Sequence, residues 1–261
     1  MSDLLLARWR RYEWQLLRDP PRAPLTHMAL DDALLTAVAE GQRPPTLRIW
    51  EWAAAAVVIG RFQSVRNEVD LQGAERHQIE IVRRITGGGA MFIEPGNTIT
   101  YSIYAPAELV SGMSAIESYA FFDTWVLDAL ATLGVRAWYQ PINDITSASG
   151  KIGGAAQMRR AGAVLHHVTM SYDIDAAKML EVLRIGREKL SDKGTTSAAR
   201  RVDPLRSQTG LPREAIIDQM IATFRERHGL HDSQLSTTEV AATTHLVTSK
   251  FATNEWLQAL P

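Results

Sequence analysis

The run Arg83-Arg84-Ile85-Thr86-Gly87-Gly88-Gly89-Ala90 is the segment best equipped for chemistry. Three consecutive glycines cost backbone entropy and supply no side chain to pack. Their use is close approach: bare N–H groups can line an anion, and positive φ is open at each position. Arg83 and Arg84 could offer planar donor forks to phosphate or carboxylate, and Thr86 adds a hydroxyl. The same pattern also reads as a tight turn with exposed arginines, and the pattern alone leaves both readings open. It is neither of the common phosphate fingerprints. No Gly-Lys-Ser/Thr follows at Walker spacing, and Gly87 and Gly89 are followed by Ala90-Met91-Phe92 rather than by a third glycine opening a helix.

A second cluster is Asn143-Asp144 followed by Gly150-Lys151-Ile152-Gly153-Gly154-Ala155-Ala156-Gln157. A lysine among small residues can lie against a ligand, and its ammonium suits an acyl carboxylate or an α-phosphate. Asp144 could hold a Mg²⁺ ion. Taken alone, Ser149-Gly150-Lys151 is an ordinary hairpin turn with a solubilising lysine, and Asp144 a turn or cap residue. In His166-His167-Val168-Thr169 the two histidines are adjacent on a strand, so they face opposite sides and cannot chelate one metal together. One of them could line a pocket. The chain has no cysteine, which excludes disulfides, thiolate metal sites and a cysteine nucleophile.

Elements that would position these residues follow from periodicity and punctuation. Residues 12–18 read as a strand stopped by Asp19-Pro20-Pro21. Thr26 can cap a helix whose apolar positions Met28, Leu30, Ala33, Leu34, Ala37 and Val38 have helical spacing. Strands are expected over 46–50 and 55–60, a helix over 67–78, and a strand over 79–84. The turn residues Glu94-Pro95-Gly96-Asn97 lead to a strand over 98–104, which predicts a hairpin with 79–84. A long amphipathic helix spans 114–132, then a strand 135–139. Two strands, 151–156 and 164–172, are joined near Ala161-Gly162. Residues 175–184 are helical, 186–210 an ordered but exposed loop, 211–228 helical, and 236–261 helical and then irregular. Strands and helices do not alternate strictly, which argues for a mixed or largely antiparallel sheet rather than a doubly wound parallel one.

Composition bounds the rest. The chain has 261 residues, 46% hydrophobic and 22% charged, with a net charge of -1. That is ordinary for a soluble globular protein and shows no basic excess for nucleic acid. The run Arg8-Trp9-Arg10-Arg11 reads as a solvated, partly packed terminal segment. No apolar stretch reaches the roughly 20 residues of a membrane span, and no secretory leader is evident, so the expected compartment is the cytoplasm.

Together these segments resemble the lipoate–protein ligase family within the biotin/lipoate ligase superfamily. The family's Arg-Arg-x-Ser/Thr-Gly-Gly-Gly-Ala is matched by residues 83–90. Its Asn-Asp, spacer and Lys-x-x-Gly-x-Ala are matched by Asn143-Asp144 and Lys151 to Ala156. Its His-His-x-Thr is present at 166–169, and Gly-x-Thr-Ser-x-x-x-Arg-Val at Gly194 to Val202. Its early helix, Ile-Gly-x-x-Gln strand end and terminal Glu-Trp are echoed at 27–40, Val58 to Gln63 and Glu255-Trp256.

The resemblance implies an α+β domain of the class II aminoacyl-tRNA synthetase/biotin-ligase-like fold, with mixed, largely antiparallel sheets flanked by helices. It implies one catalytic domain over 1–261, with 235–261 as its tail. The implied reaction activates lipoate with ATP and Mg²⁺ to the acyl-adenylate, then passes lipoyl to a lysine of a carrier domain. The implied key residue is Lys151. Arg83, Arg84, Thr86, Gly87, Gly88, Gly89, Ala90, Met91, Phe92, Asn143, Asp144, Gly154, Ala156 and His167 would shape the nucleotide and lipoate site, Asp144 also serving Mg²⁺. A hydrophobic slot for the acyl tail is expected near the early helix and the Val57–Ile59 strand.

Two departures stand out. The family has Tyr/Phe-His-Asp after the glycine loop, and here the residues are Phe92-Ile93-Glu94. Many members also carry a further C-terminal domain, so this chain reads as the large part of a bipartite ligase with a separate accessory protein. An acyltransferase of the same superfamily, moving octanoyl or lipoyl without ATP, is the nearest rival, but those enzymes use a cysteine thioester. A biotin substrate and a non-catalytic adenylate or carrier binder are further alternatives.

Overall fold

The computed structural model describes residues 3–160, 162–184 and 202–260. In chain order the helices are α1 (Asp3–Trp9), α2 (Pro24–Ala39), α3 (Val65–Glu68), α4 (Leu71–Arg76), α5 (Ala115–Thr132), α6 (Ala176–Val182), α7 (Leu205–Thr209), α8 (Arg213–His228), α9 (Thr237–Leu246) and α10 (Asn254–Leu257). The strands are β1 (Gln15–Arg18), β2 (Thr46–Trp50), β3 (Ala56–Ile59), β4 (Glu80–Arg83), β5 (Met91–Ile93), β6 (Thr98–Pro106), β7 (Ala137–Gln140), β8 (Asp144–Ser147), β9 (Gly150–Arg160), β10 (Ala163–Ser171) and β11 (His231–Asp232).

A large sheet runs β11-β1-β2-β6-β10-β9-β8-β7 and a small one β4-β3-β5. In the large sheet β1 is parallel to β2 and β11, and the remaining neighbours are antiparallel. In the small sheet β3 is parallel to β4 and antiparallel to β5. The expected mixed, largely antiparallel α+β arrangement is what forms.

The two faces of the large sheet differ in chemistry, and that difference makes the site. Along β6, Ile99, Tyr101, Ile103 and Ala105 point to a core shared with Phe121, Phe122 and Trp125 of α5 and Ile217 and Phe224 of α8. The alternate residues Thr100, Ser102 and Tyr104 are also buried. They lie on the face covered by α2, where Tyr104 packs with Leu30, Leu34 and Val38. A strand covered on both faces can hold a buried polar row only if each group finds a partner.

Local signals explain most boundaries. Ser114 and Glu117 form a capping box that opens α5, and Asp70 caps α4. Pro24 starts α2 earlier than the Thr26 cap expected from sequence, with Ala23 at the N-cap and no side-chain cap. Proline suits that first position because its missing N–H would have no partner there.

The hairpin expected between 79–84 and 98–104 does not form. Residues 91–93 make β5, which pairs with β3, whereas β6 pairs with β2 and β10. The turn at 94–97 carries the chain from one sheet to the other. Turn chemistry fixes a reversal, but the partner is chosen by tertiary burial. The expected helix over 67–78 is split into α3 and α4, and β8 was not anticipated. Of the expected loop over 186–210, residues 186–201 lie outside the described residues, and Leu205–Thr209 form the helix α7 instead of loop.

The N-terminal segment is also more buried than its charge suggested. Trp9 is 1% exposed, stacked on His228 with ring centroids 4.5 Å apart. Neither ring nitrogen of His228 finds a hydrogen-bond partner among the described residues. Burial first, then the nearby Arg227 and Arg10, push its pKa down to about 3 from 6.5. A histidine held neutral in the fold contributes stability that is complete above the unfolded value and is lost as pH falls toward the folded one. The stability of the wild type minus that of His228→Phe should therefore fall by about 1.4 kcal/mol per pH unit from pH 6 to pH 4. Urea melts of both proteins at each pH check this, and a flat difference would mean that the ring is not held neutral.

Candidate active site

A cavity of about 270 Å³ opens where the small sheet meets the α2 face of the large one. Its apolar wall includes Met28 of α2, Trp50, Trp52, Val58 of β3, Met91 and Met179. Its polar side includes Gly88, Gly89, Ala90, Asn143, Lys151 and His167. An elongated ligand with an apolar tail and a charged head fits such a division. Met28 and Val58 belong to the two elements from which the apolar slot was expected. Trp50 and Trp52 were not foreseen; their indole N–H groups donate to Ser102 and Thr100, leaving flat apolar faces for the cavity.

The glycine loop is shaped by Arg84. This guanidinium is 3% exposed. Its Nη2 donates to the carbonyls of Gly87 and Gly89 at 2.7 and 2.8 Å. Nη1 reaches the Val58 carbonyl at 3.1 Å and Nε the Thr86 hydroxyl at 3.0 Å. Burial lowers its pKa to about 10, so it stays charged at neutral pH. In a trans peptide C=O and N–H point in opposite directions. Turning the carbonyls of Gly87 and Gly89 onto the arginine therefore turns the N–H groups of Gly88 and Ala90 away from it. Amides freed in this way can serve as donors to an anion. Gly88 has φ +94°, and a Cβ on Gly60 would lie 2.1 Å from the Gly88 oxygen. Both positions need glycine.

The sequence leaves open whether the arginine forks meet a ligand; in the structure both grip backbone carbonyls, and of the two Arg84 also lines the cavity. Arg83 is 1% exposed. Its Nη1 donates to the carbonyls of Gly60, Arg61 and Gln63 at 3.0, 2.9 and 2.6 Å, and Nε and Nη2 to that of Leu257. Irregular backbone leaves carbonyls without ladder partners, and an arginine has five donors to satisfy them. Arg83, Thr86 and Gly87 are not among the cavity-lining residues, whereas Arg84, Gly88, Gly89, Ala90, Met91 and Phe92 are. Ile93, at the family's histidine position, is fully buried.

Lys151 reaches the same cavity through a β-bulge. β8 and β9 pair Asp144 with Gly154 and Thr146 with Lys151, with a register shift between Ile145 and Thr146. Cross-strand partners share a face, as do residues two apart. The shift therefore puts Lys151, Asp144 and Gly154 on one face, although 151 and 154 have opposite parity. Ile152 and Ala155 correspondingly both enter the α5 core. The Lys151 ammonium lies 2.6 Å from an Asp144 oxygen. A Cβ on Gly154 would come within 3.1 Å of that nitrogen, so the glycine keeps room for it. Asn143 is clamped to Ala155 by its own carbonyl and its side-chain amide. Ala156 also lines the cavity. The Gly194–Arg201 part of the later motif lies outside the described residues.

The two histidines part as strand alternation requires. His166 faces the core, its Nε2 2.8 Å from Asp123. His167 lines the cavity, with Nδ1 2.7 Å from Asp31 and Nε2 2.8 Å from the Thr86 hydroxyl. Burial lowers the His167 pKa despite the aspartate. Asp31, in α2, also accepts from Ser102 at 3.0 Å and Tyr104 at 2.5 Å. Sequence reasoning missed Asp31. Its signal was an acidic pair, Asp31-Asp32, inside an otherwise apolar helix. Among the described residues no group of three His, Asp or Glu could hold a metal ion by itself. Mg²⁺ commonly takes one or two carboxylates plus substrate phosphates, a demand that Asp144 alone can meet.

Comparison with known proteins places this geometry. The family described as the lipoyl protein ligase A/B catalytic domain matches residues 23–225. Octanoyltransferase LipM of an Exiguobacterium species is 27% identical over 275 residues, covering 94% of this chain and 97% of that protein. The bipartite lipoate protein ligase of Thermoplasma acidophilum, studied with its E2 lipoyl domain, superposes with a TM-score of 0.84 at 27% identity. That match covers 96% of this chain and 97% of the other. Lipoate-protein ligase A bound with ATP gives 0.79 at 25% identity, covering 96% and 99%. The fold is thus the class II aminoacyl-tRNA synthetase/biotin-ligase-like fold.

The loop packing yields a paired test. Gly60→Ala should lower stability by about 1–3 kcal/mol, because backbone must move to admit the methyl group. Gly89 has nothing within 4 Å of a Cβ and no positive φ, so Gly89→Ala should stay within about 1 kcal/mol of wild type. Equal losses in denaturant melts of the two variants would overturn the loop geometry.

Proposed function

The chain belongs to the lipoyl protein ligase A/B catalytic-domain family, and on that basis we propose that it is an ATP-dependent lipoate–protein ligase. The observation that carries this reading is the meeting of Lys151 with the bare Gly88–Ala90 backbone at one half-apolar cavity, in a chain without cysteine. A single ammonium beside such backbone amides suits a carboxylate and an α-phosphate held together.

In this reading the dithiolane tail lies along Met28, Trp52 and Val58, and its carboxylate meets Lys151. The carboxylate oxygen attacks the α-phosphorus of ATP in line, and pyrophosphate leaves. Lys151 and the N–H groups of Gly88 and Ala90 stabilise the charge that builds on the α-phosphoryl oxygens. Asp144 would anchor Mg²⁺, which neutralises phosphate charge when bound. In the second step the amine of a carrier-domain lysine attacks the mixed anhydride, forming the amide and releasing AMP. Both steps proceed by positioning and charge stabilisation, without a protein nucleophile.

Lys151→Ala should reduce adenylate formation by on the order of a hundredfold or more while the thermal midpoint stays within a few degrees. Near-wild-type adenylation in that variant would remove Lys151 from the mechanism.

The names of the curated relatives favour a second reading, octanoyl transfer between carrier proteins. It requires a reversible acyl acceptor, and the thiol that serves this purpose is missing from the chain. We further propose that the protein acts in the cytoplasm as one catalytic unit, with a separate small accessory protein. The support for the accessory protein is the likeness to the bipartite ligase over nearly its whole length. Incubation with ATP, lipoate and a lipoyl domain, with and without a candidate accessory protein, should release one AMP per lipoylated domain. Carrier acylation from an octanoyl carrier without AMP release would replace the ligase by the transferase.

A further inference from the structure

Asp31 lies outside the cavity lining and is 1% exposed, yet it ends a chain of hydrogen bonds that begins at the glycine loop. The polarity of that chain follows from its arginine end. Arg84 Nε can only donate, so the Thr86 oxygen accepts from it. Thr86 has a single hydroxyl proton, and His167 Nε2 lies 2.8 Å away as its acceptor when that nitrogen is unprotonated. The neutral ring carries its proton on Nδ1 and gives it to Asp31. The aspartate end demands the same tautomer, because an ionised carboxylate only accepts. With the proton on Nε2 instead, two donors would face the Thr86 oxygen, the Thr86 proton would lose its acceptor, and a lone pair on Nδ1 would face a carboxylate.

We propose that Asp31 is a positioning residue, which acts through His167, Thr86 and Arg84 to hold the Gly87 and Gly89 carbonyls back and so to aim the loop's N–H groups. It touches no substrate. Only the kinetic part of this proposal rests on the ligase reading; the tautomer and loop geometry do not. The carboxylate is itself well anchored, by Ser102, by Tyr104, and by Arg48 at 4.0 Å. Arg48 is tied in turn to Asp19 and His27. Anchoring from several sides makes Asp31 a fixed point against which the ring orientation is set.

The test uses the full chain labelled with ¹⁵N in the histidine rings and the backbone. In the wild type His167 should carry its proton on Nδ1. Asp31→Asn should move a measurable fraction to Nε2 and shift the amide resonances of Gly88, Gly89 and Ala90. Tyr104→Phe removes another donor to the same carboxylate, so it should leave the tautomer in place. Thr86→Val cuts the chain at its middle; it should shift the same loop amides without moving the ring proton. On the ligase reading, adenylate formation in Asp31→Asn and Thr86→Val should fall on the order of a hundredfold, and Thr86→Ser should recover most of it. A wild-type ring protonated on Nε2 overturns the proposal, as do loop amides unmoved in both variants. If Asp31→Asn does not fold, the loop amides of Thr86→Val decide. A wild type that forms no adenylate overturns the ligase reading and leaves the tautomer and amide arms to judge the relay.

Discussion

The candidate site depends on a buried guanidinium with backbone carbonyls wrapped around it. A three-glycine segment has no side chains to hold it and no ladder to pair with, so its carbonyls need partners from elsewhere. Arg84 supplies them to Gly87 and Gly89, and its third branch ties the loop to Val58 of β3. Each buried carbonyl left without a partner would cost about 1–3 kcal/mol. Because C=O and N–H oppose each other across a peptide plane, gripping the carbonyls also sets which way the amide dipoles point. An arginine engaged with backbone carbonyls thus sets how the loop's amide dipoles are oriented beside the cavity.

The neighbouring arginine shows how far the same principle extends. Arg83, one residue earlier, faces the other side of the strand and collects the carbonyls of the 60–63 turn and of Leu257. The C-terminal segment is thereby tied to the back of the glycine loop, and the Trp256 indole adds a bond to the Arg83 carbonyl. The arginine pair works as two staples on opposite faces. Lys151, which β9 delivers from the other sheet, brings a compact ammonium to the cavity, where it is paired with Asp144.

The polar row on β6 links these parts to α2. Thr100, Ser102 and Tyr104 would be costly in a strand buried on both faces if they lacked partners. They hold the indoles of Trp52 and Trp50 and the carboxylate of Asp31. One face of the sheet is thus an ordinary aromatic core against α5 and α8. The other is a satisfied polar network that orients the aromatic walls and His167.

Much of this was legible in the residues. The glycine run, the lysine among small residues, the missing cysteine and the opposite facing of His166 and His167 follow from residue type and from a period of two. What a strand sequence cannot reveal is which strand it pairs with. The turn at 94–97 therefore looked like a hairpin although it joins two sheets, and the bulge that brings Lys151 onto the face of Asp144 and Gly154 was invisible. Nor could sequence tell whether the arginines faced a ligand or the backbone, because that depends on which carbonyls tertiary packing leaves unpaired. Asp31 entered the site for the same reason: a buried carboxylate is placed by donors far away in the chain, on β6 and β10. Local chemistry determined what the parts can do, and long-range hydrogen-bond satisfaction decided which of them face the cavity.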